Sequence, residues 1–192
     1  GKIKFPEKTV DRAVTVQEAL FDLPVAESGC LQDVYDYPET EHLSSYARQM
    51  RKTPILDIAS PRVLNHNTTK STDIVLERYK HIKQGENWES IPDHLLKNYK
   101  DKNRCHSGIY RRLKEDEPSL TINNVRKSMF IHPRQHRGLS VREAARLQSF
   151  PDWYEFKGIR DSQYQQVADA VPPLMAKAIA EQIRRMLIDR SA

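Results

Sequence analysis

The chain has 192 residues and a formal charge of +5, with 31 Lys and Arg against 26 Asp and Glu, enough length for one domain with a real core or a small domain plus segments that complete another. With 38% hydrophobic and 30% charged residues it is globular but polar, and 11 prolines against 6 glycines favour long irregular connections over tight hairpins. The roughly 20-residue apolar run needed to span a bilayer is absent, the opening lacks the apolar centre of a secretion signal, and Cys30 and Cys105 have no CxxC spacing, which disfavours a disulfide framework or thiolate zinc site and fits a reducing cytoplasm. The positive surplus suits an anionic partner. An opening at Gly1 with no initiator Met is expected of a fragment or of one subunit of a split protein.

In chain order, Thr15 and Glu18 read as a capping box, each side chain able to satisfy a free backbone N–H at a helix start. The short helix that follows, through Ala19, Leu20 and Phe21, must end before Pro24. Residues 28–40 read as loop, a second helix is expected over Ser44–Met50, and the stretch to about residue 70, with Pro54, Pro61 and polar Asn65 to Thr69, reads as irregular. Val75, Tyr79 and Ile82 recur at helical spacing and predict an amphipathic helix over Asp73–Lys83, closed by Gly85. Pro92 fits the first position of another helix, carrying Leu95, Leu96 and Tyr99. Short strands are expected at Gly108–Leu113, Ser119–Ile122 and Ser128–Ile131. Ser140 and Glu143 form a second capping box, whose helix must stop at Phe150 because Pro151 follows. After Pro172 and Pro173, the residues Leu174, Met175, Ala178, Ile179, Ile183, Met186 and Leu187 make one apolar stripe that should dock on something.

Closely spaced glycines, which let a backbone approach a nucleotide-type cofactor, are missing, so such a cofactor would be held mainly from outside this chain. Cys105, beside Arg104 and His106, lacks the third partner of an activated thiol, and Cys30 has no activating neighbour. Cys105, His106, His132 and His136 match no familiar metal-ligand spacing, so no metal is expected. The basic residues are more informative. Arg104, Arg111, Arg112, Arg126, Lys127, Arg134 and Arg137 are interleaved with Asn103, Ser107, Thr121, Asn123 and Asn124, the residue types that phosphate and base-edge contacts require. The competing reading is a solvated surface whose arginines pair with Glu115, Asp116 and Glu117.

Residues 131–156, IHPRQHRGLSVREAARLQSFPDWYEF, resemble the ninth conserved motif of bacterial-type DNA (cytosine-5) methyltransferases, roughly HP...R.LT.RE.ARLQ.FPD.Y.F. Gln165 to Pro173, QQVADAVPP, is similar to the tenth motif, usually RQIGNAVPP, and Ile109–Leu113 and Pro118–Asn124 resemble the family's Y.RL and P..TITT phrases. Residues 15–24, TVQEALFDLP, and 85–92, GENWESIP, resemble further family phrases, so the likeness covers nearly the whole chain.

The resemblance implies methyl transfer from S-adenosyl-L-methionine to carbon 5 of a cytosine flipped out of duplex DNA. The family's Pro-Cys-Gln nucleophile, Glu-Asn-Val acid, Gln-x-Arg-x-Arg clamp and FxGxG cofactor loop precede the part this chain resembles, so no catalytic role is carried onto Cys30 or Cys105. Ser140, Arg142, Glu143, Arg146 and Gln148 match the ninth motif, which in the family supports the recognition domain. Asp169, Ala170 and Val171 match the tenth motif, which borders the cofactor pocket, although Ala168 and Asp169 replace the usual Gly and Asn. By resemblance the family's DNA contacts fall on Arg112, Thr121 and Asn123, and Arg104, Arg111, Asn124 and Arg126 are expected to join them in a DNA-binding face.

The fold expected is α+β. Residues 1–54 would connect from a catalytic domain, 55–135 form a small irregular target-recognition domain, and 136–192 supply the ninth-motif helix and a closing helix that complete a doubly wound α/β domain. The expected function is target recognition for a methyltransferase whose catalytic half, in the same polypeptide or a separate subunit, lies outside this chain. Its partners would be that half and double-stranded DNA, its setting the bacterial cytoplasm beside the nucleoid, and its class an enzyme only when complete. The alternative is a non-catalytic DNA-binding or interaction protein derived from the same family.

Overall fold

The computed structural model describes residues 4–41, 43–53, 60–97, 108–122 and 130–188, and shows a mixed α and β fold. Helix α1 spans Val16–Leu20, α2 Ser45–Arg51, α3 Asp73–Lys80, α4 Val141–Leu147, α5 Arg160–Asp169 and α6 Pro173–Ile188. Strand β1 (Tyr35–Asp36) pairs antiparallel with β2 (Arg62–Val63), and β3 (Arg111–Arg112) pairs parallel with β4 (Phe130–Ile131).

Both capping boxes close. The Thr15 hydroxyl accepts from Glu18 N while a Glu18 oxygen accepts from Thr15 N, and Ser140 and Glu143 repeat the exchange at α4. Ser44 caps α2 by accepting from Ala47 N, and its hydroxyl donates to Glu18 O at 2.6 Å, so one cap also ties two helices together. The first N–H groups of α1 are satisfied by the carbonyls of Glu115 and Glu117, which stitches residues 15–18 to 115–118.

Several expectations are corrected. Helix α3 ends at Lys80, not Lys83, and His81 caps it. Gly85, at φ +82, instead turns the following loop back toward Arg112, whose carbonyl its N–H meets. Pro92 opens only a 3-10 turn, Asp93–Leu95, and Tyr99 lies outside the described residues. Residues 119–122 form no strand; Pro118 makes a single bridge to Thr15. Residues 28–40 include β1, and α5 was not anticipated, because RDSQYQQVAD offers only Gln163, Tyr164 and Val167 to the core and no apolar period.

The main core gathers Val16, Ala19, Leu20 and Leu23 from around α1, Val141, Ala144 and Ala145 from α4, and Tyr164 and Val167 from α5. Val63, Leu113, Ile122 and Phe130, from between residues 55 and 135, are buried in the same cluster. A second, smaller cluster joins Tyr79, Ile82, Ile91, Leu96, Tyr110 and Ile131.

Helix α4 is buried from Val141 to Arg146 although three of those residues are charged. Burying a cation without compensation is prohibitive, so each side chain must find partners. Arg146, at 0% exposure, donates from Nε and one Nη to Asp152 at 2.6 Å each, to both Asp22 oxygens at 2.9 and 3.0 Å, and to Ala19 O. Arg51 adds a bond to Asp22 at 2.8 Å, and the Tyr37 hydroxyl donates to Asp152. Burial opposes the Arg146 charge, but the two carboxylates more than offset it and raise its pKa above the ordinary value.

Replacing Arg146 with Ala leaves buried Asp152 without a guanidinium and Asp22 with Arg51 alone, and urea denaturation of the chain should show a loss of about 3–5 kcal/mol. Adding Asp152→Ala should recover part of that loss; strict additivity of the two changes would refute the coupling.

Candidate nucleic-acid interface

Residues 65–68, read from sequence as irregular, form a buried polar hub. Asn65, at φ 59, exchanges two hydrogen bonds with the backbone of Phe156, its amide donating to Phe156 O and its oxygen accepting from Phe156 N. His66 Nε2 faces Pro24 O at 2.7 Å, a carbonyl that can only accept, so Nε2 carries the proton and Nδ1 accepts from the Ser140 hydroxyl at 2.8 Å. With both residues fully buried and the outer ring nitrogen committed to backbone, this Ser–His pair is a strut and not a nucleophile with its base. The Thr68 hydroxyl accepts from Gly29 N and Cys30 N, and Asn67 reaches Asp33 and Gln163. The sequence hint was the run of four hydrogen-bonding side chains between Pro61 and α3; its partners, between 34 and 96 residues away, were invisible.

Beside the hub, Arg137 grips Glu143 with two bonds of 2.7 Å. Burial alone would raise the Glu143 carboxyl, but the Arg137 guanidinium holds it well below the usual carboxylate range. Arg142 donates to the carbonyls of Leu64, Pro151 and Tyr154, and burial pushes its pKa down to about 10. Gln148 donates to Ile122 O and Val167 O, linking the end of α4 to the Thr121 edge and to α5. Ser140, Arg142, Glu143, Arg146 and Gln148 are therefore all buried and hydrogen-bonded.

Of the expected DNA-contacting residues, Arg104, Asn123, Asn124 and Arg126 lie outside the described residues, as do Cys105 and His106. Arg111 is half-buried in β3 and Thr121 is exposed. Thr121 lines a cleft of about 380 Å³ together with Ile122, Gln148, Tyr46 and Pro172, which brings the recognition edge against the ninth motif and the start of α6. Arg112 is a correction. It is 3% exposed, and all five of its N–H groups are engaged by Tyr79 O, Ile82 O, His132 O, Gln135 O and His136 Nδ1, so none is left for a base edge. Arg134 pairs with Glu115 at 2.7 Å and Lys114 with Glu117 at 2.6 Å, so at these positions the solvated ion-pair reading holds.

Asp169 ends α5 with an exposed carboxylate that accepts from Gln165 Nε2 at 2.7 and 2.8 Å; Ala170 packs partly on the main core and Val171 is 59% exposed. Along α6, no side chain is buried, and Met175, Ile179, Ile183 and Leu187 are 56%, 37%, 53% and 60% exposed. Among the described residues no helix is long and apolar enough to cross a membrane.

The fold is similar to part of a solved structure described as a putative DNA modification methyltransferase encoded within an E. coli prophage, with a TM-score of 0.66 over 94% of this chain and 49% of that one, at 21% identity. The family model for C-5 cytosine-specific DNA methylase matches residues 25–185, and the chain belongs to that family. It is 35% identical to Type II methyltransferase M.DdeI of Desulfomicrobium norvegicum over 93% of its own length and 45% of that protein, and 41% identical to M.BbvI of Brevibacillus brevis over 79% and 41%. With M.AquIB of Picosynechococcus sp. it shares 34% identity over 70% of this chain and 96% of that one. The chain thus spans less than half the length of M.DdeI and M.BbvI but nearly all of M.AquIB.

His132 generates a pH prediction. Its Nδ1 accepts from the N–H groups of Arg134 and Gln135, and burial lowers its pKa from 6.5 to about 4. Because the folded value lies below the unfolded one, the unfolded chain takes the proton first; stability is full above pH 6.5 and falls as pH drops toward 4, by roughly 3 kcal/mol. His66, also lowered by burial, adds a loss of the same sign. His132→Asn, whose side-chain oxygen can accept the same two N–H groups, should flatten the stability–pH slope measured by urea titration between pH 7 and 5.

Proposed function

We propose that this chain is the target-recognition and closing part of a DNA (cytosine-5) methyltransferase, and that it acts when joined to a catalytic half. The observation that carries this reading is α6. Sixteen residues of amphipathic helix have no buried side chain, in a chain of the methylase family that contains no Pro-Cys-Gln. A helix with an apolar stripe is stabilised by what that stripe covers, and here the cover is the doubly wound α/β domain supplied by the catalytic half. M.AquIB, a protein named as a Type II methyltransferase, is matched over 96% of its length, so a polypeptide of about this extent carries that name.

Residues 136–188 then form the closing segment, residues before 54 the connection, and the second apolar cluster from Val75 to Ile131 the core of the recognition unit. The DNA face is assigned to Arg111 and Thr121 together with Arg104, Asn123, Asn124 and Arg126. The methyl donor, S-adenosyl-L-methionine, supplies the electrophilic methyl group when bound. Asp169, Ala170 and Val171 fit it as one wall and not as a pocket. The exposed Asp169 carboxylate can accept from an amine or hydroxyl, and Val171 offers apolar contact, while the close-packed glycines of a nucleotide cradle are absent from this chain.

The test is methyl transfer from labelled S-adenosyl-L-methionine to mixed-sequence duplex DNA. Activity is expected only when the chain is combined with a polypeptide bearing Pro-Cys-Gln. Activity of the chain alone would overturn the proposal, and DNA binding with no activity in the combination would favour the non-catalytic alternative. In the same pairing, Ile179→Glu with Ile183→Glu should weaken association of the two halves by at least ten-fold, about 1.4 kcal/mol, measured by calorimetry.

A further inference from the structure

We propose that Arg112 is a positioning residue for target recognition, a buried clamp that fixes the root from which both recognition segments leave the core. This rests on the functional reading above. Five contacts define the clamp: Nε donates to Ile82 O at 2.6 Å, one Nη to His132 O at 2.6 Å and Gln135 O at 2.8 Å, the other to Tyr79 O at 2.7 Å and His136 Nδ1 at 3.0 Å. One guanidinium thus ties three separate stretches of backbone to β3: the end of α3, the loop after it, and the 132–136 turn.

The topology gives that knot its consequence. Because β3 and β4 pair in parallel, with Arg111 opposite Phe130 and Arg112 opposite Ile131, the chain enters both strands at the same end of the ladder. The residues expected to contact DNA lie just upstream of each strand in sequence, Arg104 before β3 and Asn123, Asn124 and Arg126 before β4. Whatever fixes the ladder fixes the spacing between the two points from which those segments depart. The ladder itself is short and needs help: the Arg112 backbone bonds Glu86 O and Gly85 N, Leu113 N bonds Ile131 O, and Tyr110 turns into β3 at φ 54. A two-residue parallel pair is too weak to hold a register alone, and the side chain of Arg112 supplies bonds the ladder lacks.

An ammonium has three donors on a point charge and cannot reach five acceptors arranged for a planar fork, so Lys is the discriminating substitution. Arg112→Lys in the complete enzyme should lower the ratio of kcat/KM on target duplex to kcat/KM on duplexes changed at one base by about ten-fold or more. KM for target DNA should rise with kcat nearly unchanged, and affinity for S-adenosyl-L-methionine should stay as in the unsubstituted enzyme. A lower Tm with an unchanged ratio would make Arg112 merely structural and overturn the proposal. If Arg112→Lys does not fold, His136→Ala decides. It removes one acceptor and leaves the four carbonyls, and it should reduce the ratio several-fold; no change refutes the clamp. An unsubstituted enzyme that methylates all duplexes alike would instead refute the recognition role itself.

Discussion

The structure depends on one ion cluster. Arg146 sits at zero exposure between Asp22 and Asp152, and through them it holds α1, α2, α4 and the turn after Phe150 in one place. A guanidinium in this position is stable only if every donor is met in the right geometry, and that requirement fixes the distances among elements that also share the main apolar core. The helices involved are five to seven residues long, too short to persist in water. Their order comes from the cluster and from caps that reach across, as Ser44 does to the carbonyl of Glu18.

What was legible in the sequence was local. Thr15 with Glu18 and Ser140 with Glu143 announce helix starts because cap and partner lie three residues apart, and both capping boxes are found. The apolar stripe of α6 was legible for the same reason. What was hidden depends on residues far along the chain. Nothing near Arg112 marks it as a strut, since its acceptors come from residues 79, 82, 132, 135 and 136, and in sequence it is one more arginine in a basic run. The hub at 65–68 and helix α5 failed to show for the related reason that their contacts are polar, so no hydrophobic period betrays them. The family likeness, strong across the ninth motif, did not mark Arg112 as buried.

The arginines divide into two kinds by what compensates them. Arg137 and Arg146 face carboxylates and their charge is cancelled locally. Among the described residues, Arg112 and Arg142 have only carbonyls and one imidazole as hydrogen-bond partners, which satisfy their donors without cancelling the charge, and burial lowers both pKa values in consequence. Four carbonyl dipoles can solvate such a cation, but the monopole still projects through the low-dielectric interior to the surface.

On the proposed reading, that projection would bear on DNA binding in a way a surface count of lysines would miss. Among the described residues beside β3 and β4, Lys114 is neutralised by Glu117 and Arg134 by Glu115, and such pairs contribute little field beyond a Debye length. A buried, carbonyl-solvated guanidinium cannot be screened by mobile ions at close range and cannot swing away. It therefore offers a fixed positive potential beneath the β3–β4 root, at no entropic cost when a phosphate backbone arrives. Selection of a cation for an internal strut, where neutral side chains would cost less to bury, is intelligible if the same charge both holds the root of the recognition segments and draws the polyanion they read.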